Sequence, residues 1–205
     1  PDNYPGGAPQ GNHVAVNFIS ANRPAGEEFG IFQTLSTTLE HDTLYILTVE
    51  VGNIASGFND LNATPNDASD DPFFNISGFN GYRVELRTDS VTGSGTTLIS
   101  EMLSVQDANN ILDGEFRTTS LIFDSRNAPA NLIGEALEIL LVNLNEIDPA
   151  FPGNDRETNF DDVRFDSSPV SVNTAKVPIP WPGMLLLAVG LVGSGRSGLE
   201  KLYSE

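Results

Sequence analysis

Apolar and polar residues alternate with a period of two along most of the chain. Tyr45, Leu47, Val49 and Val51 alternate with Leu44, Ile46, Thr48 and Glu50, and Tyr82, Val84 and Leu86 alternate with Arg83, Glu85 and Arg87. Successive side chains of a β-strand point to opposite faces, so this period predicts strands with one face in a core. Over 82–88 the charged set predicts an outward face, whereas over 44–51 the second face is only partly wet. The runs at 13–19, 31–39, 43–52, 81–88, 96–103, 115–124, 135–144 and 159–166 read as strands broken by Gly, Asn, Asp and Pro. Residues 135–144 also hold the helix formers Glu135, Ala136, Leu137 and Glu138, and their flanks, Gly134 and Asn143–Asn145, do not decide between helix and strand. In an otherwise all-β chain the run is taken as a strand. Such spacing predicts an all-β, two-sheet jelly-roll sandwich over 13–168, after an irregular, turn-rich segment at 1–12.

The pattern changes at the end. Residues 177–195 carry no charge; a linker over 169–178 leads into the hydrophobic segment at 179–195, and Arg196 and Lys201 follow in a polar tail at 196–205. Pro178, Pro180 and Pro182 block helix before about Trp181. The 17 residues of 179–195 span about 25 Å as a helix, short of the roughly 30 Å of a bilayer core. They predict a short hydrophobic helix, adequate as a brief or transient membrane segment.

Charge sharpens this division. The chain of 205 residues has a net charge of −18. Residues 1–175 hold 7 Arg, no Lys and 26 acidic residues, a net of −19, and residues 176–205 a net of +1. So acidic a body repels phosphate backbones, which excludes nucleic acid as a partner and leaves divalent cations and neutral or polyhydroxyl ligands. There is no cysteine, hence no disulfide, thiolate zinc site or thiol nucleophile. The chain begins at Pro1 without Met, which predicts a processed or partial sequence.

Val177, Pro178, Ile179 and Pro180, then an apolar stretch, then Arg196 resemble the PEP-CTERM sorting signal of Gram-negative bacteria. Ahead of it, 33–35, 44–52, 81–86 and 159–165 succeed one another in an order that resembles the galactose-binding-like, carbohydrate-binding jelly-roll domains found before such tails. The resemblance implies an exosortase-type processing enzyme as partner, transient anchoring in the inner membrane, and export to the cell surface or exopolysaccharide matrix. It also implies that Asp161 or Asp162, on the last strand, helps to ligate a structural calcium ion.

Within the body, the stretch 57–71 concentrates Asp60, Asp67, Asp70 and Asp71 with three asparagines, oxygen donors of the kind calcium requires. No EF-hand spacing is present. Aromatic rings that could stack on a sugar are Tyr4, Phe58, Phe73, Phe74, Phe79 and Tyr82, of which Phe58, Phe73 and Tyr82 are the ligand-binding candidates. No pair of carboxylates is marked as desolvated, and His13 and His41 have no nucleophile elbow near them. The sequence therefore predicts a non-catalytic, exported module that binds a glycan or exopolysaccharide, with calcium as a structural cofactor. The alternative is a self-assembling surface or filament subunit, a homo-oligomer paired through open strand edges, and a glycoside hydrolase ranks third.

Overall fold

A computed structural model describes residues 3–58, 72–89 and 95–171. Ten strands, all paired antiparallel, account for nearly all of its regular structure. One four-stranded sheet, here sheet A, has the order β1 (Ala15–Ile19), β10 (Arg156–Pro169), β3 (Thr43–Asn53), β8 (Glu115–Asp124). Sheet B has the order β2 (Phe29–Thr38), β9 (Ala136–Asn143), β6 (Tyr82–Thr88), β7 (Thr97–Leu103). β4 (Gly57–Phe58) and β5 (Phe73–Phe74) form a short antiparallel pair of their own. The two larger sheets pack face to face as a jelly-roll sandwich, which is the fold the alternation predicts. Only the small β4–β5 pair had no signature of its own.

The core lies between the sheets. Tyr45, Leu47, Val49 and Val51 of β3 face Tyr82, Val84 and Leu86 of β6 and Leu137, Ile139 and Leu141 of β9, all buried, with Phe160 of β10 among them. Each such aliphatic side chain withdrawn from water contributes about 1.5–3 kcal/mol. The ambiguous run at 135–144 is strand β9. It is hydrogen-bonded on both edges, to β2 and to β6, and nearly every position is buried. Helix preference of a few tenths of a kcal/mol per residue does not compete with two ladders and two covered faces. The charged set of β6 points away from the core, where Arg83 donates to both carboxylate oxygens of Glu28 at 2.8 Å.

Sheet A positions the remaining features through its register. Val16, Asn159, Gly52 and Phe116 are paired side by side across β1, β10, β3 and β8 on its outer face. One step toward the start of β10, Glu157 is paired with Phe18 on the same face, and one step the other way Asp161, Glu50 and Thr118 are aligned. Residues 3–14 contain no strand or helix and lie across this face as a strap. Ala55 N–H donates to the Asn3 carbonyl at 3.2 Å, Gln10 N–H to Asp161 Oδ2 at 2.8 Å, and a turn closes from Gly7 N–H to the Tyr4 carbonyl.

The sandwich and its strap lie within one compact unit, Pro1–Val170. The expected hydrophobic helix at 179–195 lies outside the described residues. Among those described, no helix is long and apolar enough to cross a membrane.

Tyr82, a candidate for ligand stacking, is a core residue with no exposed surface, and its hydroxyl lies 2.6 Å from that of Thr119. Replacing Tyr82 with Phe should cost about 1–2 kcal/mol in urea unfolding, because the buried Thr119 hydroxyl loses its partner. An exposed stacking residue would change stability by less than about 0.5 kcal/mol.

Candidate functional site

The strap and the outer face of sheet A line a half-open cavity of about 380 Å³. Its walls are mainly apolar: Val14 and Val16 on the β1 side, Ile54 after β3, and Phe74 and Ile76 from the β5 side. Tyr4, Gly7, Ala8 and Asn12 of the strap border it, and Glu157 and Asn159 of β10 supply its polar floor. The size and the apolar walls with a few convergent polar groups are those of a small-molecule site.

Gly52 makes this arrangement possible. The Tyr4 ring packs on Phe116 with centroids 4.5 Å apart. A Cβ on Gly52 would come within 2.6 Å of both the Tyr4 hydroxyl and the Phe116 ring. Any side chain there would displace the Tyr4 or the Phe116 ring, so this close approach requires glycine.

Burial under the strap sets the electrostatics. Glu157 is 8% exposed, and none of the ion pairs among the described residues includes it. Desolvation disfavours its charged form and raises its pKa from 4.5 to about 7, against the hydrogen bond from Asn159 Nδ2 to Glu157 Oε1 at 2.8 Å, which works the other way. The Tyr4 hydroxyl is held above its ordinary value by burial and then by the Glu157 charge. Neither that hydroxyl nor Asn159 Oδ1 has a hydrogen-bond partner among the described residues. The site thus combines a carboxylic acid about half protonated at neutrality with aromatic faces that stabilise positive charge. That pairing can protonate an apolar substrate and shelter the resulting cation. A smaller cavity of about 240 Å³ opens between the sheets beside Ala15, Ile31, Phe32, Gln33, Ile139, Leu141 and Val163. It carries no titratable side chain.

Among the residues singled out from sequence, Asp60, Asp67, Asp70 and Asp71 lie outside the described residues, as do Val177, Pro178, Pro180 and Arg196. Both oxygens of Asp161 accept backbone N–H groups, from Gln10 and from Asp162, so Asp161 anchors the strap. Asp162 has a positive φ of 46°, beside the register shift in β10, and is paired with Arg164. Among the described residues no group of three or more His, Cys, Asp or Glu is placed to hold a metal ion. Phe58 and Phe73, half exposed, pack edge to face on one another at 5.1 Å, and the next residue, Phe74, lines the cavity. Sequence reasoning passed over Glu157. The signal available was the alternation of Glu157, Asn159 and Asp161 with the buried Thr158 and Phe160, which places three polar residues on one face of one strand.

A family model described as HpiC1-like, HpiC1 cyclase, matches residues 1–166. Among solved structures, a Stig cyclase, Fisc, from Fischerella sp. TAU in complex with (3Z)-3-(1-methyl-2-pyrrolidinylidene)-3H-indole is 26% identical. It superposes with a TM-score of 0.58 over 82% of this chain and 70% of that one. A cyclase from Fischerella sp. TAU in complex with 4-(1H-indol-3-yl)butan-2-one is equally similar, with 26% identity, a TM-score of 0.58 and the same coverage. An apo cyclase from Fischerella sp. is 27% identical, with a TM-score of 0.58 over 82% of this chain and 68% of that one. No curated protein sequence matches the chain.

These similarities correct the reading of function. The match to a cyclase family over residues 1–166 overturns the resemblance to a PEP-CTERM protein with a carbohydrate-binding domain, and with it the non-catalytic role and the filament alternative. Two of these relatives hold indole compounds, so polysaccharide and an exosortase are not the partners these findings support. The physical reason is that a jelly roll is a scaffold whose amphipathic strands are common to binding modules and enzymes alike.

The raised pKa of Glu157 carries a stability signature. Below pH 4.5 the carboxyl is protonated in both folded and unfolded chains and contributes nothing. Between 4.5 and about 7 the unfolded chain loses the proton first, so folding takes one up and stability falls as pH rises, by on the order of 3 kcal/mol once pH exceeds 7. Glu157→Gln should therefore melt higher than the parent at pH 8 and at the same temperature at pH 4, measured by calorimetry. Equal melting at pH 8 would mean that the carboxyl is not desolvated.

Proposed function

The chain belongs to the HpiC1-like cyclase family, and we propose that it is an enzyme closing a ring in an apolar, unsaturated small molecule that carries an indole or similar fused aromatic ring. The observation that carries this reading is Glu157, an acid without a cationic partner among the described residues, on the floor of a mainly apolar cavity. The indole compounds held by the Fischerella cyclases support the substrate class.

The chemistry follows from the site. Protonated Glu157 gives its proton to a carbon of the substrate's π system, leaving a cation on the substrate and a carboxylate on the protein. The rings of Phe74 and Tyr4 stabilise that cation by their negative faces, and the apolar walls around it offer no nucleophile to trap it. A π bond of the same molecule attacks the cation to form the ring, and loss of a proton to the Glu157 carboxylate restores both the unsaturation and the acid. The sum is an isomerisation, with no electron gained or lost.

Glu157→Gln should abolish ring closure of alkenyl-substituted indoles, lowering the rate by about 10²- to 10⁴-fold, as followed by product chromatography and NMR. Binding of 4-(1H-indol-3-yl)butan-2-one should survive the substitution. Full activity in the folded variant would exclude Glu157 as the acid.

Calcium enters this reading only as a structural ion attracted by the acid-rich stretch 57–71. It should raise the melting temperature relative to excess EDTA, and an unchanged melting curve would remove it.

A further inference from the structure

The residue beside the acid is costly in a way that packing does not explain. Asn159 has no exposed surface, and its neighbours across the sheet, Val16 and Gly52, have no polar side-chain atoms. The one hydrogen bond shown for its amide goes to Glu157, and Oδ1 is left with no partner among the described residues. A buried amide that satisfies only part of its capacity is destabilising relative to an apolar side chain of its size. Stability alone favours Val or Leu at this position of a central strand.

We propose that Asn159 is a positioning residue for the acid: by donating to Glu157 Oε1 it holds the carboxyl in one orientation and makes Oε2 the oxygen that carries the proton into the cavity. The two residues are at i and i+2 of β10, hence on the same face of the strand, and both line the cavity. An N–H donor prefers the carbonyl-like oxygen of a carboxylic acid, so the proton is left on the other oxygen. The same bond favours the carboxylate and opposes the desolvation that raises the pKa, so that Glu157 stays strong enough to give up its proton. The other titratable groups on this face are Tyr4 and His13 from the strap, Glu50 from β3 and Asp161 from β10; β1, the part of β8 facing the cavity and the β4–β5 pair bring none. Of these, Tyr4 is the group whose own ionisation the Glu157 charge disturbs.

This inference rests on Glu157 being the acid, and its test separates the two. Glu157 can be followed in protein labelled with ¹³C at glutamate carboxyls, its signal assigned through Glu157→Gln, in the parent, in Asn159→Val and in Asn159→Thr, which restores a donor hydroxyl. Circular dichroism and melting curves check that each variant folds. In Asn159→Val the carboxyl midpoint should rise by about one to two pH units, the worth of a hydrogen bond to a charged group, and Asn159→Thr should recover part of that change. The alkaline limb of the kcat profile for ring closure should move upward with it, at a lower maximal rate. A carboxyl midpoint unmoved in both variants overturns the positioning role and leaves Glu157 as the acid. A midpoint that moves while the kcat profile stays in place overturns the assignment of Glu157 as the acid and the positioning role together.

Discussion

Removing a carboxyl group from water without giving it a cation is the constraint on which this structure turns. Ordinary surface glutamates ionise near 4.5, and a protein with 28 acidic residues has many of them. Glu157 differs because the strap closes over it, the walls around it are aliphatic and aromatic, and its one polar contact shown is the neutral Asn159 amide. Burial makes it an acid suited to neutral pH. The cost of that burial is borne by the two-sheet core, whose β3, β6 and β9 side chains are almost wholly buried. The division of labour is common in enzymes: a rigid scaffold tolerates a locally unfavourable site.

The outer face of a jelly-roll sheet is ordinarily an open surface. Three features of sequence convert it here. Gly52 leaves a gap in the row Val16–Asn159–Gly52–Phe116 into which Tyr4 fits. Asp161 fixes the far end of the strap through the Gln10 N–H. Phe74 and Ile76, at the short β4–β5 pair, supply the opposite wall. Each is small, and together they turn a flat sheet face into a half-open cavity of about 380 Å³.

The scaffold was legible in the sequence because strand period, turn residues and core burial are all local signals. Tyr45 to Val51 and Tyr82 to Leu86 declare their faces directly, and even 135–144 resolves to a strand once the rest of the chain is seen to be all β. The site was not legible for reasons that are equally physical. Residues 3–14 have no period from which a contact with sheet A could be read. Gly52 looks like the fraying end of a strand, and its meaning appears only when the register places it between Asn159 and Phe116. Glu157 precedes the run read as the last strand, at 159–166, and nothing local distinguishes it from the other acids of the body. The family resemblance drawn from amphipathic strands led to the right sandwich and the wrong work, since those strands encode the scaffold and not the face that carries the chemistry.

The most direct test of the account is a crystal structure of the protein with 4-(1H-indol-3-yl)butan-2-one bound. The account predicts the indole ring between the strap and sheet A, against Phe74 and Val16, with Glu157 within hydrogen-bonding distance of the ligand. Density instead in the cleft between the sheets, beside Ile31, Phe32, Ile139, Leu141 and Val163, with the strap cavity empty, would contradict it.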